Sequence, residues 1–388
     1  MADSLVLNWN KRGVVAITAS VTSQTLRVSR VEELLWSEPE EPKKNPKAAG
    51  ESLKAFLRRA GMQSSAALVC IPRDSVVIRH LNVPRVSEDD LAEIVPLQAA
   101  TRSAQSVDQL MVDFLPQPDQ PGVELGSVLA ATVSRSYTDA IRKTLEAADL
   151  EVRGFGLSSV GLAEIGLNFF PAKDREVLMS ASLNGHQLEV AFVRDSVIQL
   201  MQTATIEEVS GEVIATEFRR MAFAAQQTLG ELAVSQTVLF ANSDDVQKLS
   251  ESQALSVDNL SLISLEECSL VKIPQQLPEN LNLNELVVPL GLLLNRESGK
   301  LAGLDFFNPR QKRIVADDSR RKLAIYAAGA VTLLSLAYYQ FHSYVRDLDQ
   351  QISQLELDES NYNSSLAGGK SVLEADAQLK EWLIRDTH

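Results

Sequence analysis

The chain has 388 residues, with 51 acidic against 37 basic side chains and a net charge of −14. That length can carry two core-bearing domains, and that charge excludes nucleic acid as the main partner. The cysteines, Cys70 and Cys268, lack a CxxC context, and His80, His186, His342 and His388 show no metal-ligand spacing, which excludes a zinc site and points to reduced core thiols.

The opening MADSLVLNWN lacks a signal-peptide pattern, so export of any later part is expected to depend on a downstream apolar segment. Strands are predicted at residues 4–10, 14–20 and 26–33, a Pro/Lys/Glu loop at 38–47 and a helix at 51–60. That helix places Leu53, Phe56 and Leu57 on one face and Lys54, Arg58 and Arg59 on the other. Strands at 66–71 and 75–81 come next. Ser87 reads as the N-cap of a helix opening Glu88-Asp89-Asp90, and Pro96 is expected to kink or end it. Strands at 109–115 and 126–133, a helix from Ser134 to Ala148, a strand at 151–157 and a helix at 158–168 complete the first stretch.

The pattern then restarts. Strands at 177–183, 186–194 and 197–205 are joined by Asn184-Gly185, a strong hairpin signal, and by Arg194-Asp195-Ser196. A helix at 211–229 carries Ile214, Phe218, Met221, Ala225 and Leu229 on one stripe. A buried strand at 237–240, a helix at 244–255, a strand at 260–265, a helix at 285–294 and a last strand at 300–306 follow. Three strands followed by alternating helix and strand, twice over, predict a duplicated α/β actin-like ATPase (ribonuclease H-like) fold.

Residues 323–341, LAIYAAGAVTLLSLAYYQF, form an uncharged run of about 19 residues, long enough at roughly 28 Å to cross a bilayer core as one transmembrane helix. Arg310, Lys312, Arg313, Arg320, Arg321 and Lys322 precede it, whereas Arg346 is followed by Asp347, Asp349, Glu356 and Asp358. This asymmetry predicts that the N-terminal side is cytoplasmic. Tyr326, Tyr338 and Tyr339 stand where aromatic belts form, Thr332 and Ser335 can bond the preceding turn, and Gly329 could admit a close helix neighbour. Beyond the run, Val345, Leu348, Ile352 and Leu355 repeat as a short coiled-coil seam, with a generic amphipathic helix as the plainer alternative. Residues 360–370, containing Gly368-Gly369, are expected to break it before a further helix near Ser371.

Two motifs bring a family into view. The stretch 71–84, IPRDSVVIRHLNVP, precedes the acidic helix start and is followed by Asp113-Phe114. It resembles the extra subdomain of PilM-type type IV pilus assembly proteins and of the actin-like inner-membrane platform protein of type II secretion. The segment Leu304-Asp305-Phe306-Phe307-Asn308-Pro309-Arg310 resembles the short docking motif that precedes the membrane helix of PilN-type partners. Both occur here on one chain. The resemblance implies a first actin-like half at 1–172 with an inserted subdomain at about 68–133, and a second half at 173–303. It further implies a docking motif and basic linker at 304–322, the membrane helix at 323–341, and a helical tail at 342–388 that would be one piece of a longer periplasmic part.

In that fold, nucleotide is held by two glycine-bearing hairpins that present N–H groups to phosphate and by acids that reach the metal. Residues 8–13, NWNKRG, lack the acid of the first hairpin, and Trp9 stands in its place. Residues 180–185, SASLNG, keep a glycine and lose the acid of the second. Ala241-Asn242-Ser243-Asp244 offers no glycine after the buried strand. Lys11, Gly185, Glu217 and Arg219 are the candidate remnants of a nucleotide pocket; the plainer readings are a solvated turn charge, a hairpin glycine and a solvated helix face. No nucleophile elbow, Walker loop or HExxH appears, and Asp89-Asp90 and Asp244-Asp245 are neighbours that face different ways on a helix.

No catalytic residue, metal or obligatory cofactor is expected, with ATP and Mg²⁺ entering only if the pocket works. The resemblance implies a non-enzymatic scaffold in the bacterial inner membrane, N-terminal domain cytoplasmic and tail periplasmic. Implied partners are the pilus or secretion assembly ATPase, a PilO-like membrane protein, the lipid bilayer and a second copy of the chain. The alternative is a membrane-tethered actin-superfamily ATPase. Leu304, Phe306, Phe307, Pro309 and Arg310 are the candidate docking residues, with Phe306 alternatively ending the last core strand.

Overall fold

Strands β1 (Ser4–Trp9), β2 (Gly13–Thr22) and β3 (Thr25–Leu35) form an antiparallel run in the computed structural model, which describes residues 3–22, 25–103, 105–118, 124–171, 176–229, 234–255, 257–274, 277–278, 281–311 and 318–385. Helix α1 (Pro46–Arg59) starts before the sequence reading. Asn45 accepts the Ala48 N–H at 3.2 Å and Pro46 fits the first turn, two start signals that the loop-like composition concealed. Strand β4 (Ala66–Ile71) follows, buried at every position because both faces of the sheet are covered.

A small layered unit then interrupts the first half. It comprises β5 (Val77–Val83), α2 (Glu88–Thr101), β6 (Leu110–Pro116) and β7 (Gly126–Ser134), with sheet order β5-β7-β6. Leu81, Leu91, Val95, Phe114 and Val128 help build its own core. Ser87 caps α2 as expected, accepting the Asp90 N–H at 3.3 Å. The break expected at Pro96 does not occur: α2 continues to Thr101, because Leu91, Val95 and Ala99 hold both sides of the proline on one buried face. Helix α3 (Arg135–Ala147), β8 (Glu151–Leu157) and α4 (Ser158–Phe169) close the first half.

The second half repeats the plan with β9 (Val177–Asn184), β10 (Gln187–Arg194), β11 (Val197–Thr205), α5 (Gly211–Leu229), β12 (Val234–Phe240), α6 (Ser243–Ser250) and β13 (Leu260–Ile263). Its sheet runs β11-β10-β9-β12-β13, and the first runs β3-β2-β1-β4-β8 in the same sense, extended by the two-residue β14 (Val271–Lys272) beside β3. Two sheets of one order, each antiparallel at one end and parallel at the other, are the duplicated α/β plan read from the sequence. Strand β14 was not legible because two residues carry no periodicity.

Helix α7 (Val287–Ser298) crosses α4 backbone to backbone. A Cβ at Gly161 would collide with the Val288 carbonyl, and one at Gly291 with the Gly161 carbonyl. The strand expected at 300–306 is absent: the segment makes one isolated bridge, Gly156 to Asp305, and is held otherwise by side chains.

The chain divides into Met1–Lys312 and Arg313–His388. The second unit contains one helix, α8 (Asp318–Arg385), so the break expected at 360–370 is not found. Gly368 and Gly369 cost helix stability, about 1 kcal/mol each, but do not forbid it. The expected transmembrane helix at 323–341 is not met either. Among the described residues no helix is long and apolar enough to cross a membrane. The side chains of residues 318–325, including the first of the apolar run, lie outside those described, as do residues 312–317 of the basic linker. The remaining 326–341 would reach about 24 Å and ends in Gln340-Phe341. Thr332 and Ser335 donate to the Ala328 and Val331 carbonyls, each at 2.8 Å.

The glycine crossing yields a prediction. Gly291→Ala should destabilise the chain by about 3 kcal/mol through overpacking, seen as a lower urea midpoint. A change within about 0.5 kcal/mol, the ordinary range for surface sites, would mean that the two helices are not in backbone contact.

Candidate functional site

A cleft of about 650 Å³ opens between the two halves. On one side stands the β1–β2 hairpin. Asn10 Oδ1 accepts the N–H groups of Arg12 at 2.8 Å and Gly13 at 2.7 Å, and this turn projects Lys11 outward into an ion pair with Asp74 at 2.8 Å. Trp9 does not occupy the turn. It ends β1, buried against the Trp36 ring at 5.4 Å between centroids. On the other side stands the β9–β10 hairpin, where Gly185 takes a φ of 56° that a side chain would disfavour.

The two hairpins are tied down by the segment entering α7. Asn282 Nδ2 donates to Asn184 Oδ1 at 3.0 Å. Asn284 Nδ2 donates to the Leu183 carbonyl at 2.6 Å and to Ser182 Oγ at 3.1 Å, and Asn8 Nδ2 donates to the Glu285 carbonyl at 3.2 Å. Burial pushes the Glu285 carboxyl above its ordinary range, helped by the charge of Glu33 and opposed by a hydrogen bond from Asn184.

The cleft therefore brings Lys11 and Gly185 together, but not Glu217 and Arg219. Those lie on α5 and stay with their own helix: Glu217 pairs with Arg220 at 2.7 Å, and Arg219 Nε donates to the Ala215 carbonyl at 3.2 Å. Asn242 after β12 caps α6 by accepting the Asp245 N–H at 2.7 Å, a job that needs no glycine.

The sequence reading missed Arg73, Ser158 and Glu189, which line the cleft, and Ser159, which is fully buried beside Glu189. Ser158 and Ser159 open α4 and both donate to Glu189 Oε1, at 2.7 and 2.5 Å. Arg73 donates to the Val76 carbonyl at 2.6 Å and across to the Met201 carbonyl at 3.2 Å. Burial raises the Glu189 carboxyl above its usual range; the hydroxyls of Ser159 and Ser158 and the charge of Arg73 oppose that, and Asp74 adds to it. The available signal was an acid within a strand otherwise buried at most positions. A phosphate at the start of α4 would find the hydroxyl donors taken by a carboxylate. Among the described residues no group of three His, Cys, Asp or Glu side chains could hold a metal. The residues present do not fit a metal-bound phosphate.

The second place of interest is the segment 304–310. Leu304 and Phe306 are buried in the main core, Phe306 completely, and the Phe306 N–H donates to the Phe155 carbonyl at 3.0 Å. Phe307 is half-buried, its ring 5.6 Å from that of Phe155, and Pro309 is also half-buried. Asp305 Oδ1 accepts the N–H groups of Phe155 and Phe307, both at 2.9 Å. Asp113 on β6 holds the other end. It is only 1% exposed, and it accepts the Asp305 N–H at 2.9 Å, the Arg310 N–H at 3.1 Å and Arg310 Nη1 at 3.0 and 3.1 Å. Arg310 also lies over the Phe114 ring at 5.7 Å. The two stretches that carry the family resemblance thus meet in space.

No family model matches the sequence, and no curated protein matches it. Solved structures do. A chain of the PilM-PilN type IV pilus biogenesis complex is similar at 16% identity and a TM-score of 0.58, covering 75% of this chain and 98% of that one. The cytoplasmic domain of EpsL, an inner-membrane component of the type II secretion system of Vibrio cholerae, aligns at 12% identity and a TM-score of 0.43 over 79% of this chain and 98% of that one. At such identity the first likeness establishes a shared fold, the one the sequence resemblance implied.

Phe306 and Phe307 should separate experimentally. Phe306→Ala should lower global stability by about 3–5 kcal/mol, and Phe307→Ala by clearly less. Equal losses in equilibrium unfolding would contradict the division into a core residue and a surface contact.

Proposed function

We propose that this chain is a non-enzymatic scaffold of a type IV pilus or type II secretion machine, tethered to the bacterial inner membrane and carrying its own PilN-like docking segment. The observation that carries the reading is the grip of Asp113 on residues 305–310, because it joins on one chain two stretches that resemble separate proteins, such as those of the PilM-PilN type IV pilus biogenesis complex. Docking within one chain proceeds at a local concentration set by the linker and needs no bimolecular encounter. The uncharged run at 323–341 and the basic residues before it support a single membrane helix with the actin-like domain in the cytoplasm. The α8 tail would then be periplasmic. Its seam of Leu348, Ile352 and Leu355 is exposed and suits a PilO-like helix or a second copy. An assembly ATPase is the partner expected on the cytoplasmic face.

The domain itself would not work as an ATPase. Support comes from the missing hairpin acids and from the Glu189 carboxylate at the start of α4. Calorimetry on the full chain with Mg²⁺ and ATP should show no saturable binding; micromolar affinity would favour the ATPase reading instead.

The docking reading is tested at Asp113. Asp113→Asn keeps the shape but loses the charge pair, and should speed proteolytic cleavage at residues 305–322 at least about tenfold, with far-UV signal unchanged. Cleavage at the unaltered rate would remove the latch. Orientation is checked separately by a reporter, active only outside the cytoplasm, fused after His388: activity is expected, and silence there with activity near Asp3 would reverse the topology.

A further inference from the structure

The apolar seam of α8 runs further than its sequence pattern promised. Because the helix does not break at 360–370, Tyr362 and Leu366 extend the repeat of Val345, Leu348, Ile352 and Leu355 at heptad spacing. Residues 345–366 then offer seven seam positions over about 32 Å, six of them apolar. Leu348, Ile352, Leu355, Tyr362 and Leu366 are exposed, a continuous apolar stripe of the kind that marks a protein contact. The seventh position is Glu359. Asp358 flanks it, and Asp349 and Glu356 flank the seam before it. Between 345 and 366 no Lys or Arg stands at a seam or flanking position; the one base, Arg346, lies outside both. Other acids of α8 are answered on the helix itself: Asp376 pairs with Lys380 at 3.1 Å, and Asp347 accepts from Gln351 at 3.5 Å. Among the described residues Asp349, Glu356, Asp358 and Glu359 have no such partner.

We infer that this seam takes a helix of a different chain, one that brings Lys or Arg to residues 358–359, and turns away a second copy of itself. The inference rests on the reading of α8 as a periplasmic pairing arm and narrows its two occupants to one. Copies rooted in one membrane present their tails in parallel, so each seam position meets its own counterpart. A seam residue enters a hole formed by four residues of the facing helix. In a pair of identical tails, Glu359 would enter a hole lined by the Asp358 and Glu359 of its twin, and the twin would do the same. Four carboxylates would then crowd one layer of the seam with no base to answer them, and Glu356, one turn away, adds to the same sign. A helix with bases at that layer turns the repulsion into attraction. The six apolar positions supply burial to either partner, so the choice between partners falls to the charged layer.

The experiment uses the full chain in excess mild detergent, with Leu348→Cys as a seam reporter; Cys70 and Cys268 are buried and do not compete. A second form, distinguished by a size tag, carries Asp358→Lys and Glu359→Lys as well and stands in for the basic partner. Each form alone should give little disulfide-linked dimer under mild oxidation. Their mixture should give linked heterodimer at least about tenfold above either alone, and less at high salt. Moving the reporter to Gln350, on the opposite face, should abolish the link. The substitutions are on an exposed helix face, and far-UV signal checks that the helix is kept. Self-linking of the unaltered form as strong as that of the mixture would overturn the inference while leaving α8 a pairing arm. No link in any combination, with the helix intact, would sink the pairing-arm reading itself, so the two failures are distinct.

Discussion

Asp113 is the residue on which the connections of the first unit converge. Its carboxylate is almost wholly withdrawn from water, and an unpaired charge there would cost several kcal/mol. The cost is offset by two backbone N–H groups and by one guanidinium nitrogen, Arg310 Nη1, shared between both carboxylate oxygens, all supplied by residues 305–310. The carboxylate sits on β6, in the small inserted unit; its donors sit on the segment that covers the free edge of β8 in the main sheet. One buried charge therefore ties the insert, the main sheet and the chain's exit from the domain together. Because Arg310 remains 29% exposed while Asp113 is 1% exposed, the pair is asymmetric: the arginine can return to water, whereas the aspartate cannot without moving the sheet. Stability falls on the carboxylate side and mobility on the guanidinium side.

The same logic applies across the cleft. The outer strand of the second sheet, β11, presents backbone groups that an edge normally leaves open. Side chains of the first half close them: Arg73 reaches the Met201 carbonyl at 3.2 Å, Gln117 Nε2 the Ile198 carbonyl at 3.1 Å, and His80 the backbone of Gln199. Burial pushes the His80 ring below its usual pKa, and the hydrogen bond with the Gln199 backbone opposes that shift. Gln117 follows β6 directly, so the strand that grips the exit segment also leads into the contact with the opposite half. Underneath, α4 and α7 meet at Gly161 and Gly291, leaving no side chain to act as a spacer.

Much of this was legible in the sequence. The strands at 66–71 and 151–157 were read at their observed bounds, and β4 in particular is a continuous apolar run. The α5 stripe was equally plain, since Ile214, Phe218, Met221 and Ala225 all face one core. Boundaries failed where capping and packing override composition, as at Asn45 and Pro96. The site was only half legible. Lys11 and Gly185 sit on hairpins and could be found by local pattern, whereas Glu189, Ser158 and Arg73 become neighbours only through the closure of two sheets around a shared cleft, which leaves no local spacing to read. Glu217 and Arg219 were placed by fold analogy, and each is answered by a partner on its own helix.

A fold with a cleft is usually thought of as one that opens and closes around a ligand, with ligand contacts supplying the closed state's stability. In this chain those contacts are supplied internally. Asn8, Asn282 and Asn284 bind the hairpins to the α7 entry, Arg73 and Gln117 bind the rim, and Glu189 binds the start of α4. Each bond contributes on the order of 1 kcal/mol net, but together they bias the halves toward one arrangement without an external molecule. A domain so biased has little left for a ligand to select. In the proposed scaffold role, the physical requirement is that a force applied at residues 305–310 be borne by the whole domain. Asp113 meets it by placing its charge where β6 continues toward Gln117 and the second sheet, so that the load path crosses the cleft instead of stopping at its edge.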